Sequence, residues 1–317
     1  MKDNKKTISI IMLLITTIIW GSAFVAQDIG SNYVSSFTFN CVRFFLSFII
    51  MLPIAIYRQK KLRKESRQNS RKEIIVSSLI CGTCLILASI LQQEGISTQG
   101  AGKSGFITSM YLVIIPIFYF VFRHKRYSFN VYVGVLLALV GLYLLSVKGD
   151  FTLEKGDIFL IGSAFMFAAQ IISCGYFAQN MDPYTLSCGQ SLVSFIISLI
   201  PTIFIDKPEF SQIIKALPAV LYVSVFSTCV AYTLQIIAQK HLNSTLASLL
   251  MSLESVFSAI FGAIILKDYL DLKEIIACAL IFAGVIFSQI TFGKKKKREG
   301  LDGESNVLKE DDNKEDY

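Results

Sequence analysis

Charge is segregated along this chain, and that segregation constrains its fold more than any other feature. Of its 53 charged residues, 29 fall within residues 1–6, 58–73 and 293–317, which make up 47 of the 317 positions. The other 270 positions share 24 charges, close to 9%. A soluble domain carries charge on roughly a quarter to a third of its surface positions. A water-soluble two-domain enzyme is therefore excluded. With 53% of its residues apolar, the chain has material for helices that face lipid.

The net charge of +7 does not point to nucleic acid, because the Lys and Arg residues sit in short runs between apolar blocks. Loops flanking a membrane have that pattern. The seven cysteines, from Cys41 to Cys278, all lie inside apolar stretches and read as reduced packing residues, not as a disulfide framework. Met1 to Lys6 and the apolar run behind it resemble a signal peptide. That run reaches Gln27 without a small-residue cleavage site, so it is read as an uncleaved first span.

About 20 mainly apolar residues are needed to cross a bilayer as a helix. Ten stretches qualify: Thr7–Gln27, Ser36–Tyr57, Ile74–Leu91, Thr98–Phe122, Val131–Val147, Asp157–Tyr176, Thr185–Ile205, Ala216–Ile236, Ser244–Leu266 and Leu272–Phe292. Their continuity, without two-residue alternation, favours helices over barrel strands. With the N-terminus inside, the inner segments hold 22 of the 30 basic residues and the outer loops seven, which puts both termini in the cytoplasm. Residues 293–317, with eight acidic and seven basic side chains, are expected to form a disordered cytoplasmic tail, with Lys294 to Arg298 against anionic lipid headgroups.

The chain also matches itself. Thr38, Cys41, Ser47, Phe48, Ile49 and Ile50 align with Thr185, Cys188, Ser194, Phe195, Ile196 and Ile197. At a slightly shorter shift Ser109, Val113, Ile117, Phe118, Leu137 and Gly141 align with Ser252, Val256, Ile260, Phe261, Leu280 and Gly284. The unit, residues 7–147 and again 157–292, holds five spans. An odd number makes the copies cross in opposite directions, and such inverted repeats support alternating access with a solute near the midplane. The expected fold is an all-α integral membrane protein of ten transmembrane helices in two inverted five-helix repeats.

Trp20–Gly21–Ser22–Ala23–Phe24 in the first span resembles the opening motif of the drug/metabolite transporter superfamily, in particular its EamA-type members. Arg43 with Phe44, Gly102–Lys103–Ser104–Gly105–Phe106 running to Pro116, and Gly134 with Gly141 continue the resemblance, as do Leu253–Glu254–Ser255 and Gly284 in the second half. Ser255 stands where the family usually has proline, and Asp268 where it usually has glutamate. The resemblance implies ten helices around a cavity lined mainly by spans one, three, four, six, eight and nine, and does not specify a substrate.

Glu254, near the centre of span nine, is the foremost candidate for substrate binding or coupling, because intramembrane ionisable groups are costly and mark pathways. The alternative is a structural carboxyl tied to a neighbouring helix. Arg43 reads either as an anchor for an anionic group or a gate partner, or as a structural arginine snorkelling toward the outer interface or capping carbonyls. Trp20 and Tyr111, the latter the repeat mate of Glu254, are candidate cavity walls or simple packing. Lys103 is expected at the outer mouth beside Gln92, Gln93 and Glu94, pairing with Glu94 as a gate or resting at the interface. Gly100, Gly102 and Gly105 are expected to permit close helix contact, and Pro116 to kink span four as a hinge.

Other chemistries lack their residues. Gly102–Lys103–Ser104 has Ser97 where a phosphate loop needs glycine, and no strand precedes it. Cys81–Gly82–Thr83–Cys84 has no second ligand pair for zinc. No metal, cofactor or catalytic set is assembled from His124 and His241, so no enzyme activity is expected. The reading is a secondary transporter of a small organic metabolite or drug-like solute in the cell membrane, driven by a proton gradient, exchange or downhill flux. Its partners are the small-molecule substrate and membrane lipids, with no nucleic acid, as a monomer or homodimer. A channel and a membrane enzyme or lipid-handling protein are the rival readings.

Overall fold

A computed structural model describes residues 2–65, 69–124, 127–146, 154–267 and 271–289. The tail 293–317 with Lys294 to Arg298, the loop residues Lys125, Arg126 and Lys148, and Asp268 lie outside the described residues.

Every regular element among the described residues is helical. In chain order they are α1 Lys2–Ser31, α2 Ser36–Lys64, α3 Arg71–Thr108, α4 Tyr111–Arg123, α5 Phe129–Ser146, α6 Lys155–Phe177, α7 Pro183–Pro201, α8 Phe210–Tyr222, α9 Tyr232–Gln239, α10 Ser244–Met251, α11 Glu254–Phe261 and α12 Leu272–Gln289. Three π-helical segments extend them: Thr202–Asp206 after α7, Val223–Ala231 between α8 and α9, and Gly262–Leu266 after α11. Seven helical stretches, among them Arg71–Arg123 and Ser244–Ile265, are long and apolar enough to cross a membrane.

Local chemistry sets the ends. Ser70 and Glu73 form a reciprocal capping box at α3, Asp182 caps α7 ahead of Pro183, and Asn243 caps α10. His124, Lys207 and Lys267 take left-handed conformations that end α4 and the first and third π segments. The bundle is apolar outside, and inside it buries many polar side chains among apolar ones. Ile8, Ile11, Ile15 and Ile18 form an exposed stripe on α1, while Thr16, Thr17 and Gln27 of the same helix are buried. A helix with that distribution faces hydrocarbon, not water.

Two faces can be traced by contacts. At the first, Arg58 meets Asp182 (2.9 Å), Asn69 donates to the Asn180 carbonyl (2.8 Å) and Gln179 to the Gln239 carbonyl (3.2 Å). The N-terminal segment belongs there too. Desolvation first, then the charges of Lys5 and Lys240, hold the His241 imidazole below its usual range. At the second face Ser35 and Thr38 bind Asp206, Ser36 binds Glu94, and Lys103 pairs with Asp157.

Two expectations are corrected here. Gly100 and Gly102 make no close helix contact, since a Cβ at either would meet nothing within 4 Å. Gly100 is needed for its backbone, φ +74° and ψ 173°, which reverses the chain. Gln92 consequently reaches Thr108 (3.5 Å), sixteen residues on, which a straight helix would place about 24 Å away. Pro116 lies inside an unbroken α4; the break falls at Ser109–Met110, and its counterpart Ser252–Leu253 interrupts span nine without a proline. At both places the helical ladder gives way to tighter turns, Leu112 N–H bonding the Ser109 carbonyl and Ser255 N–H that of Ser252.

Candidate central cavity

The two breaks meet in the middle of the bundle. Tyr111 opens α4 and Glu254 opens α11, and the Tyr111 hydroxyl donates to Glu254 Oε1 at 2.9 Å. Ser109 adds a longer bond to the same oxygen (3.4 Å) and shares a 2.9 Å bond with Ser255. Glu254 is 4% exposed. A carboxyl there has exchanged water for a phenol and a hydroxyl, each a strong donor.

Across the cavity stands Arg43 of α2, 2% exposed. Its guanidinium donates to Thr228 (2.8 Å), Ser227 (3.2 Å) and Gln27 (3.4 Å), and lies 5.0 Å from the Phe44 ring. Thr228 and Ser227 are presented by the π-helical segment, whose Thr228 hydroxyl bonds back to the Val223 carbonyl five residues earlier. Wider helices of this kind recur at functional sites. Snorkelling is excluded by this burial, because the guanidinium points into the bundle.

The walls come from six helices besides α2 and from the π-helical segment, which supplies Ser227. Trp20 and Gln27 belong to α1, Gln92 and Thr108 to α3, Tyr111 to α4, Gln170 to α6, Tyr232 to α9 and Glu254 to α11. Trp20 packs 5.0 Å from Tyr232 and donates its indole N–H to the Ser227 carbonyl (3.3 Å). The cavity is small in this conformation and has room for water.

Five of the seven residues singled out in the sequence line this space: Glu254, Tyr111, Trp20, Arg43 and Gln92. Gln93 is set behind it, buried, with its amide on the Gln27 carbonyl (3.0 Å). Lys103 is elsewhere. It pairs with Asp157 (2.8 Å) and Gln99 (2.9 Å) instead of Glu94, which accepts from Ser36. The reversal at Gly100 turns Lys103 toward α6, which explains the change of partner. Gln27, Thr108, Gln170, Ser227 and Tyr232 were not singled out; buried polar residues within apolar spans are the signal that marks them. Among the described residues no group of His, Cys, Asp and Glu is arranged to hold a metal ion.

An all-helical bundle with apolar outer faces and a central cavity that carries Arg43 and Glu254 defines a multi-pass membrane protein, and the comparisons supply its role. Residues 7–147 and 154–289 match the EamA-like transporter family, and the chain belongs to that family and so to the drug/metabolite transporter superfamily. It is 30% identical to an uncharacterized transporter of Archaeoglobus fulgidus over 86% of this chain and 83% of that one. It is 23% identical to the uncharacterized transporter YoaV of Bacillus subtilis over 90% and 97%. The threonine/homoserine exporter RhtA of Escherichia coli K12 is 28% identical over 54% of this chain and 58% of its own. A crystal structure at 16% identity superposes with a TM-score of 0.71 over 89% of this chain and 96% of its own, which shows the fold. The protein is a multi-pass membrane transporter.

Proposed function

We propose that the chain is a secondary transporter that carries a zwitterionic organic solute of the amino-acid kind across the cell membrane by alternating access. One observation carries this reading. Arg43 and Glu254 line the same cavity, and neither takes part in an ion pair among the described residues. Two buried groups of opposite character, held apart, suit a solute that brings a carboxylate to one and an amine to the other. The export of threonine and homoserine by the relative RhtA fits that chemistry.

Alternating access is supported by mirrored contacts. Gly134 approaches the Gly284 carbonyl, and Gly141, the repeat mate of Gly284, approaches the carbonyl of Ala277, which occupies the position equivalent to Gly134. Ser47 donates to the Ser224 carbonyl, and its mate Ser194 to that of Gly82. The same reading counts ten crossings in units 7–147 and 157–292. Arg71–Arg123 counts twice, because Gly100 reverses it, and α5 and α12 each cross once. The first face, with both termini, is the cytoplasmic one.

A proton and a solute amine are alternative occupants of Glu254, and their exchange would link transport to a proton gradient. The test is uptake and counterflow of L-threonine in reconstituted vesicles with wild type and Glu254→Gln. The variant is expected to insert normally and lose both activities. Counterflow kept with gradient-driven uptake lost would restrict Glu254 to carrying protons. Wild-type rates in both assays would refute a transport role.

A further inference from the structure

Four glutamines meet inside the protein between the cavity and the first face. Gln170 lines the cavity from α6, and Gln190 of α7 with Gln235 and Gln239 of α9 continue away from it. None is more than 1% exposed. Gln170 Nε2 donates to Gln190 Oε1 (3.5 Å), Gln235 Nε2 to Gln170 Oε1 (3.3 Å) and to Gln239 Oε1 (3.2 Å), and Gln239 Nε2 to the Ile171 carbonyl (2.9 Å). The file reaches the surface where the exposed Gln179 donates to the Gln239 carbonyl. Beside it Thr233 donates to Ser187 (2.9 Å), both buried.

Two amide atoms in this file have no partner, Gln190 Nε2 and Gln235 Oε1. A polar cluster that served only to hold helices together would satisfy its groups, and apolar side chains of the same shape would pack there at lower cost. Unpaired amides in a continuous polar file have donor and acceptor capacity left for water or a solute. Buried polar groups facing a bundle interior mark pathways on the same grounds.

We propose that Gln170, Gln190, Gln235 and Gln239 form the first-face half of the solute path, shut in this conformation by hydrogen bonds between their own side chains. The inference rests on the transport reading above and adds the route and its gate. Opening replaces amide–amide bonds with bonds to water and to the solute. The amides carry no net charge and offer donors and acceptors equally, so the route suits a hydrogen-bonding neutral or zwitterionic solute over a lipophilic cation.

The experiment places single cysteines in the full chain with its seven native cysteines replaced, and treats vesicles from either side with a membrane-impermeant methanethiosulfonate. Gln92→Cys, in the cavity, is expected to react from both faces, and Gln190→Cys and Gln235→Cys from the first face alone. If the latter two are silent or react from the second face while Gln92→Cys reacts from both, the path is overturned and alternating access stands. If Gln92→Cys fails to react from both faces, alternating access falls and the path with it. As a second measurement, Gln190→Met and Gln235→Met are expected to melt at or above the wild-type temperature while L-threonine counterflow falls at least tenfold. A lowered melting temperature with undiminished counterflow per folded molecule would make the glutamines structural and overturn the proposal.

Discussion

Tyr111 and Arg43 set the chemistry of the cavity, and each is tested by a change that keeps its bulk. Tyr111→Phe keeps the ring and removes the 2.9 Å donor to Glu254, leaving only the 3.4 Å bond from Ser109. The cost should be about 1 to 3 kcal/mol, seen as a lower melting temperature of the purified protein, with gradient-driven L-threonine uptake reduced. Arg43→Lys keeps the charge but cannot reach Thr228, Ser227 and Gln27 together, because an ammonium lacks the planar fork. Its KM for L-threonine should rise about tenfold, equivalent to ~1.4 kcal/mol. At this scale the sequence is legible where a residue is out of place: a charge or large ring inside an apolar span is visible without coordinates. Gln170 and Tyr232 were not singled out, because uncharged glutamine and one tyrosine among the chain's 13 are tolerated on several faces of a span. Which face meets the cavity depends on the helix's rotation, and neighbouring helices decide that.

The pairing of α2 with α7 shows how elements are locked in place. At the first face Asp182 caps α7 through Thr185 N–H (3.0 Å) and binds Arg58. At the second, Asp206 after α7 accepts from Thr38 N–H (2.9 Å) at the start of α2. Each helix start is thus held by an acidic residue, the arrangement its dipole favours. Asp182→Ala removes a cap and an ion partner and should cost about 1 to 2 kcal/mol, read by thermal unfolding in detergent. Most of that belongs to the cap, since Arg58 is one-third exposed and its pairing is screened. Gly284→Ala should cost about 1 to 3 kcal/mol, because its Cβ would stand 2.6 Å from the Gly134 carbonyl and backbone would have to yield. Seven membrane-length helices were legible from apolar length alone. The breaks at Ser109–Met110 and Ser252–Leu253 were not, since no proline or glycine sits at either and Pro116 lies further on, inside α4.

For the whole molecule the decisive measurement is sidedness. Single cysteines at Asn180 and Ser211, in a background without native cysteines, should react with an impermeant thiol reagent from the cytoplasm and from outside respectively. Both reacting from one side would remove the inverted repeat and with it the basis for alternating access. Truncation after Lys297 should leave transport rates and membrane abundance unchanged, because the removed residues are too charged to contribute a core. Family and helical class were legible because charge placement and short motifs survive without coordinates. The Lys103–Asp157 pair was not, since it depends on how sharply the chain reverses at Gly100.

The contact between α5 and α12 also fixes an order of events during synthesis. Gly134 and Gly284 touch backbone to backbone but are separated by about 150 residues of chain. At roughly 5 to 20 residues per second, α5 leaves the ribosome about 8 to 30 s before its partner exists. That edge of the bundle stays unsealed until α12 is made.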